Sequence, residues 1–176
     1  ASVRDFARIA AGMGVDSLVS NAGVGSFAPL EEFGVDEYRR IMDTNVLGML
    51  LVCKYFIPEF RRRHQAGLRS HAVCVTSDAA TRSFTHGGLY AASKHAQHAL
   101  AQTLAREGEG YGLRVTEIRP GLTDTYFNGQ EPGAITRTDH LRARDVAEAV
   151  CYALAAPPHV RVDEIVLHPV VQPVVY

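Results

Sequence analysis

The order of apolar stretches along this chain limits its fold more than any other feature. Four short stretches rich in β-branched residues have the composition of strands: 15–20, 72–77, 113–119 and 164–169. Longer stretches with apolar residues every three or four positions predict helices over 1–13, 35–64, 90–110 and 142–156. Strands that alternate with helices form parallel crossovers. The sequence therefore predicts a three-layer α/β/α fold, a doubly wound parallel sheet with helices on both faces.

The length and the charge of the chain indicate which class of partner such a fold would bind. The 176 residues are 47% apolar, which suits one domain over 1–176 with a single core. The 18 Lys and Arg nearly balance the 19 Asp and Glu, and the longest basic run is Arg61–Arg63. We therefore expect a small-molecule partner, with neither nucleic acid nor an anionic membrane surface as a target.

The cysteines and the apolar runs indicate a compartment. Cys53, Cys74 and Cys151 are odd in number, far apart and surrounded by apolar residues, so we expect buried thiols in a reducing environment. No run of 18 apolar residues and no opening signal segment is present, so neither membrane insertion nor secretion is indicated. The expected location is the cytoplasm.

Small and hydrogen-bonding residues follow three of the predicted strands. Asn21–Gly23 follows the first, Ser77 closes the second, and Pro120–Gly121 ends the third. Ligands of open parallel sheets bind at the carboxyl ends of the strands. The residues Gly23 and Gly121 would leave room for a flat ligand, and Ala22 keeps the same ledge low. Ordinary strand-to-loop turns use the same residue types and are the alternative.

The predicted third helix opens with Tyr90 and Lys94 in the stretch LYAASKHA. Residues four apart share a helix face about 6 Å apart along the axis, a spacing that many solvated helices also show. A tyrosine alone, with a pKa near 10, is a poor base at neutral pH. A lysine cation on the same face would favour the phenolate, so this spacing is consistent with acid/base chemistry.

The combination of these features resembles the short-chain dehydrogenase/reductase family from about residue 15 to the end. The features that carry the resemblance, in order, are Asn21-Ala22-Gly23, Asn45 in TNVLG, Ser77, Tyr90 thirteen residues on, Lys94, Pro120-Gly121 and Thr125. The tail further resembles the branch of NADP-dependent serine or 3-hydroxy acid dehydrogenases. The resemblance implies a Rossmann-like sheet and hydride transfer between NADP, or alternatively NAD, and a secondary alcohol or carbonyl compound, with no metal.

The resemblance also implies a role for each matching residue. Tyr90 would be the general acid and base, Lys94 would assist it and bind the nicotinamide ribose, and Ser77 would bind the substrate oxygen. Asn45 would hold a water that links to the lysine. The implied cofactor-binding residues are Asn21, Ala22, Gly23, Tyr90, Lys94, Pro120, Gly121 and Thr125. Residues bordering the substrate would be Ser77, His86, Tyr126 and Phe127, although His86 could equally be a plain loop residue.

Two further expectations concern assembly and metals. Helices 35–64 and 90–110 resemble those that family members pack against a second subunit, so we expect a homodimer or homotetramer. His95 and His98 have a spacing that can bind metal, but the sequence shows no third ligand, and we expect no metal site.

Two parts of the chain depart from the regular pattern. Residues 122–140 are long and rich in Gly, Thr and Asp, which predicts a mobile lid or a simple surface loop. The chain also lacks the glycine turn with which family members bind the cofactor pyrophosphate, and residues 15–20 would form an exposed edge strand. We therefore expect this chain to be part of a longer reductase that lacks the first strands of the fold. The alternative is a non-catalytic interaction module or an inactive fragment.

Overall fold

The computed structural model describes residues 2–133 and 139–173. Its central sheet has four parallel strands in the order β1-β2-β3-β6. These strands are β1 (Ser17–Ser20), β2 (Ser70–Val75), β3 (Leu113–Pro120) and β6 (Glu164–Leu167). Five helices accompany the sheet: α1 (Val3–Gly12), α2 (Val35–Met42), α3 (Gly48–Gln65), α4 (Gly88–Gly108) and α5 (Ala143–Ala155). The predicted doubly wound α/β fold is confirmed.

Helices cover both faces of the sheet, and each face has its own core. On one face α1, α3 and α4 pack with the sheet through a cluster that includes Phe56, Phe60, Leu104 and Val115. On the other face α5 packs against a smaller cluster centred on Ile118. This division explains why β2 and β3 are buried along most of their length, since both faces of these strands are covered.

The predicted single helix 35–64 is wrong in one respect. The segment Asp43–Leu47 between α2 and α3 winds as a π-helical turn, in which backbone bonds span five residues instead of four. Such turns displace one side chain from the regular helical spacing and often occur at functional sites. Asn45 lies in this turn and is fully buried.

Strand ends converge where the sequence predicted them. In the parallel register, Ser20 lies beside Cys74, which lies beside Glu117. Ser77 lies two residues beyond β2 rather than closing it, and its hydroxyl accepts a hydrogen bond from the Ala79 amide at the start of a short 3₁₀ turn.

The ends of the predicted lid are joined by a small sheet. Strand β4 (Thr123–Asp124) pairs with β5 (Leu141–Arg142). Residues 134–138, at the middle of the predicted lid, lie outside the described residues. The lid itself stays a prediction.

The exposure of the cysteines differs from the prediction at one position, and one helical stretch is unexpectedly apolar. Cys53 and Cys74 are buried free thiols as predicted, whereas Cys151 is exposed because it lies on the outer side of α5. The 31-residue stretch Val35–Gln65 is long and apolar enough to cross a membrane by length and composition. That is weak evidence, because a helix that packs its apolar side on a sheet passes the same test, and α3 does so with Phe56 and Phe60.

Strand β1 forms the edge of the described sheet. It pairs with β2 on one side and with no other strand within residues 2–133 and 139–173. Its Val19 is largely exposed, and so are Phe6 and Ile9 on the neighbouring α1. An apolar strand with an open edge is a site at which further chain can pair.

The two-sided sheet predicts a large difference between two identical substitutions. Ile118 has no exposed surface, whereas Ile9 on α1 is 55% exposed. We expect Ile118→Ala to lower the free energy of unfolding by about 2–5 kcal/mol and Ile9→Ala to lower it by less than about 1 kcal/mol. Urea unfolding followed by circular dichroism measures both, and equal losses would contradict the second core under α5.

Candidate active site

Tyr90 and Lys94 lie one turn apart near the start of α4 and face the convergent strand ends. The Lys94 Nζ atom is 5.6 Å from the centre of the Tyr90 ring. Only 4% of Lys94 is exposed, yet its ammonium has no hydrogen-bond or ion-pair partner within residues 2–133 and 139–173. Burial lowers the pKa of Lys94 to about 8, and the Glu117 carboxylate opposes that shift. The Nζ atom is not among the fully buried polar atoms without a partner, so it stays open to solvent or to a polar ligand.

The pKa of Tyr90 differs from the sequence-based expectation. Burial raises it, a hydrogen bond with the Ser77 side chain lowers it, and the Asp78 carboxylate raises it further. The sum is an upward shift, so the expected lowering by Lys94 is wrong for the protein without its ligands. Desolvation of the phenolate is the largest cause of the upward shift. Tyr90 therefore keeps its proton at neutral pH.

Asn45 is a clamp between three parts of the chain. Its Oδ1 accepts a hydrogen bond from the Val24 amide at 2.8 Å, and its Nδ2 donates to the Val24 carbonyl and to Ser93 Oγ, each at 2.9 Å. Its own carbonyl accepts a bond from Gln97 Nε2 at 2.8 Å. A carbonyl has two lone pairs, so a second donor such as water can still bind there. The π-helical turn thus lets the side chain and the carbonyl of Asn45 form these hydrogen bonds together.

The loop after β1 lies against the same groups. A Cβ atom at Gly23 would be 3.4 Å from both Asn45 Oδ1 and Lys94 Nζ, so glycine brings the backbone close to the lysine. Asn21 and Ala22, which precede it, are exposed. This ledge, the unpartnered ammonium and the hydroxyl of Ser77 fit the ribose and nicotinamide end of a dinucleotide. The described residues contain no glycine turn for its phosphates.

Gly121 has a different role from the one predicted. A Cβ atom there would collide with the Gln172 side chain, so the space belongs to the C-terminal segment and not to a flat ligand. Gln172 Oε1 accepts a bond from the Leu122 amide at 2.8 Å, and its Nε2 donates to Asp78 at 2.6 Å. Pro120 and Gly121 thus fix the start of the segment that carries Thr125, whose hydroxyl accepts a bond from the Phe127 amide at 3.2 Å.

Aromatic rings surround Tyr90. Phe27 and Phe127 pack edge-on against it, with ring centres 5.5 and 5.7 Å away, and Phe84 lies 5.9 Å from Phe27. Of the predicted substrate-bordering residues, Phe127 touches Tyr90, whereas the Tyr126 side chain points to solvent. His86 is exposed, has a positive φ of 66°, and its carbonyl accepts a bond from the Ala28 amide.

Several of these residues were not predicted from the sequence. Phe27, Phe84, Ser93 and Gln97 belong to no short motif, and only three-dimensional proximity assigns them to the site. The stretch SFAPLEEF after the first predicted strand was the available signal for Phe27, since loops at strand ends carry specificity.

The structure brings two carboxylates close enough to His98 to complete a set of three possible metal ligands. Ligand atoms of His98, Glu117 and Glu164 lie within 4.8 Å of one another, and His95 is not among them. Each already has a protein partner: Glu164 binds the Arg119 guanidinium at 2.7 Å, and Glu117 binds His98 at 2.6 Å. A guanidinium in the cluster repels a metal cation, so we interpret it as an ion-pair network. The absence of a metal site stays a prediction.

The fold and the site together define a class of protein. A parallel Rossmann-like sheet places Ser77 near the end of β2, close to Tyr90 and Lys94 on α4, in the crevice where open α/β sheets bind ligands. The family model described as short chain dehydrogenase matches residues 4–134. The chain belongs to this family.

Curated relatives include oxidoreductases of different lengths. An uncharacterized oxidoreductase of Staphylococcus aureus is 33% identical over 159 residues, which are 89% of this chain and 65% of that protein. The glycine betaine reductase ATRR of Emericella nidulans is 34% identical over 168 residues, 91% of this chain and 13% of that protein. The chain thus spans less than two thirds of the length of these relatives.

Solved structures agree on the fold. An alcohol dehydrogenase from the archaeon Thermococcus sibiricus, complexed with 5-hydroxy-NADP, has a TM-score of 0.89 and 36% identity, covering 99% of this chain and 72% of that one. Serine dehydrogenase from Escherichia coli has a TM-score of 0.80 and 26% identity, covering 99% and 76%.

The Asn45 clamp predicts a large effect of one isosteric substitution. Asn45→Asp keeps the acceptor for the Val24 amide but loses the donor and buries a charge, so we expect about 2–4 kcal/mol less free energy of unfolding. The same change at exposed Asn128 should cost less than about 0.5 kcal/mol. Thermal and urea unfolding of both variants measure this, and equal stability would mean that the clamp is not needed.

Proposed function

We propose that this chain carries the catalytic site of an NAD(P)-dependent oxidoreductase that transfers a hydride between the nicotinamide and a secondary alcohol or carbonyl compound. The observation that carries the proposal is the ammonium of the nearly buried Lys94, which has no acceptor within residues 2–133 and 139–173 and lies beside Tyr90, Asn45 and Gly23. NADP is the favoured cofactor, with NAD as the alternative, because the archaeal relative was solved with an NADP derivative.

Tyr90 would transfer the proton, and Ser77 would stabilise the substrate oxygen. In carbonyl reduction the Tyr90 hydroxyl donates its proton to the substrate oxygen while Ser77 stabilises the negative charge that develops there. The raised pKa keeps Tyr90 protonated before transfer, and donation then requires that the phenolate be stabilised as it forms. In alcohol oxidation the same groups run in reverse. The bound cofactor supplies or accepts the hydride.

Lys94 would bind the cofactor and stabilise the Tyr90 phenolate. Its ammonium would donate to the ribose hydroxyls, and its charge would favour the phenolate that Tyr90 becomes after proton transfer. Asn21, Ala22 and Gly23 would run beside the cofactor, Pro120 and Gly121 would position the segment with Thr125, and Thr125 would hold the carboxamide. Asn45 would fix the loop after β1 and, through its carbonyl, hold a water between itself and Lys94.

The rings around Tyr90 indicate the kind of substrate. Phe27 and Phe127 pack against the Tyr90 ring and Phe84 packs against Phe27, while the Arg82 guanidinium over Phe84 is held by Asp78. We therefore propose that apolar ketones and alcohols react better than small hydroxy acids, although the tail resembles the hydroxy acid branch. His86 and Tyr126 would border the outer part of the substrate.

The proposal predicts loss of activity from one missing oxygen. Tyr90→Phe should reduce kcat/KM for NADPH-dependent reduction of an aryl ketone at least about 100-fold, because the proton donor is gone. Tyr152→Phe, the same change at a tyrosine that is 68% exposed on α5, should leave it unchanged. The assay follows NADPH absorbance in the native protein with a panel of ketones, alcohols and hydroxy acids.

Two outcomes of that assay would contradict the proposal. If Tyr90→Phe behaves as the unsubstituted protein does, the hydroxyl has no part in the reaction. If no member of the panel reacts with either cofactor, the alternative of a non-catalytic interaction module becomes the better account.

We also propose a homodimer or homotetramer of a cytoplasmic protein, through α3 and α4. Leu47, at the end of the π-helical turn, and Leu50, in the first turn of α3, are nearly half exposed. Exposed leucines of this kind favour burial against a second copy. The free thiols Cys53, Cys74 and Cys151 suit a reducing compartment.

A charge at that surface should break the assembly. We expect Leu50→Glu to reduce the molar mass found by light scattering to that of a smaller unit, while Leu68→Glu, at a leucine exposed to a similar degree in the loop after α3, leaves it unchanged. An unaltered mass for Leu50→Glu would exclude this face from the interface.

A further inference from the structure

A carboxylate is buried behind the catalytic residues and has no part in the chemistry described above. Glu117 lies on the face of β3 that α4 covers and is only 5% exposed. Glutamate is rarely so buried unless it is paired. Here the Thr76 hydroxyl donates to Glu117 Oε1 at 2.5 Å, and His98 Nδ1 lies 2.6 Å from its Oε2.

Both partners of Glu117 are neighbours of catalytic residues. Thr76 directly precedes Ser77, and His98 follows Lys94 by four residues, on the same face of α4. The connection from Thr76 through Glu117 to His98 therefore joins the end of β2, strand β3 and the catalytic helix. Both hydrogen bonds are short; the one from Thr76 is buried and the one with His98 is partly buried, and both involve a carboxylate, which strengthens them.

Glu117 is also a buried negative charge available to the Lys94 cation. The pKa of Lys94 is about 8, the net result of burial, which lowers it, and of the Glu117 carboxylate, which raises it. Arg119 is already engaged by Glu164 at 2.7 Å. The titratable groups around the pair are Tyr90 and His98 on α4, Cys74 on β2, Arg119 on β3 and Glu164 on β6.

We propose that Glu117, held by Thr76 and His98, is a positioning residue whose carboxylate is the counter-charge of the Lys94 ammonium and aligns Ser77 with the catalytic helix. This inference rests on the proposed hydride transfer for its catalytic consequence. Its electrostatic part, the interaction between Glu117 and Lys94, can be measured without any activity.

Glu117→Gln isolates the charge. The glutamine amide has nearly the same shape, its oxygen can accept from Thr76, and its nitrogen can donate to a neutral His98. Glu164→Gln is the matched control, because Glu164 lies beside Glu117 in the parallel register, on the same face of the sheet, but pairs with Arg119.

Lys94 can be titrated directly because the chain has two lysines, Lys54 and Lys94. With ¹³C-labelled lysine, NMR gives one signal for each, and exposed Lys54 is the internal reference. We expect a Lys94 midpoint at about pH 8 in the unsubstituted protein. Because loss of the negative charge destabilises the cation, Glu117→Gln should lower this midpoint by about half a pH unit or more, whereas Glu164→Gln should not. An unchanged midpoint in Glu117→Gln would overturn the proposal.

The pH profile of kcat/KM tests the catalytic part. Its alkaline limb, where Lys94 loses its proton, should move to lower pH in Glu117→Gln together with the NMR midpoint. If the midpoint moves and the limb does not, Glu117 does not position the catalytic lysine. If the unsubstituted protein transfers no hydride at all, the proposed function fails, while the NMR result still decides whether Glu117 and Lys94 interact.

Glu117→Asp covers the case in which the glutamine variant does not fold. It keeps the charge, so the Lys94 midpoint should stay close to that of the unsubstituted protein. A midpoint that falls in this variant, with the fold intact by circular dichroism, would overturn the proposal.

Discussion

The burial of one ammonium group organises the site of this protein. Only 4% of Lys94 is exposed, and its ammonium has no acceptor in the described part of the chain, but its Nζ atom is not among the fully buried polar atoms and stays open to the site. Nearby polar groups make that position usable: Asn45 fixes the loop that passes over the lysine, and Glu117 supplies a negative charge from behind. The partly desolvated cation, open to the site and without a protein acceptor in the described residues, is the reason to infer a polar ligand in front of it.

The parallel sheet makes this arrangement possible. Because β1, β2 and β3 run in the same direction, the residues that follow them meet at one edge, and α4 crosses that edge with Tyr90 and Lys94 on its inner face. The π-helical turn adds what a regular helix could not, since it places the buried Asn45 within reach of Val24, Ser93 and Gln97. Backbone geometry thus sets the positions, and side chains supply the charges.

The sequence predicted the elements of the fold better than their contacts. Strand and helix periodicities depend on neighbouring residues, so all four sheet strands and the helices around them were found to within a few positions. The π-helical turn at Asn45 depends on a displaced backbone bond. The contacts of Gln97 with Asn45, of Gln172 with Leu122 and of Glu117 with His98 join residues 19 to 52 positions apart. No local pattern encodes these. The pKa of Tyr90 was mispredicted for a related reason, because desolvation depends on the whole surrounding structure.

The most direct test of the account is whether Lys94 binds the cofactor. Fluorescence titration of NADPH into the native protein should show binding that Lys94→Met weakens at least about tenfold, because the ribose hydroxyls lose a charged donor. Lys54→Met, which removes the other lysine, should bind as the unsubstituted protein does. Equal NADPH affinity in all three proteins, or no binding by any of them, would contradict the claim that the buried ammonium is a cofactor ligand.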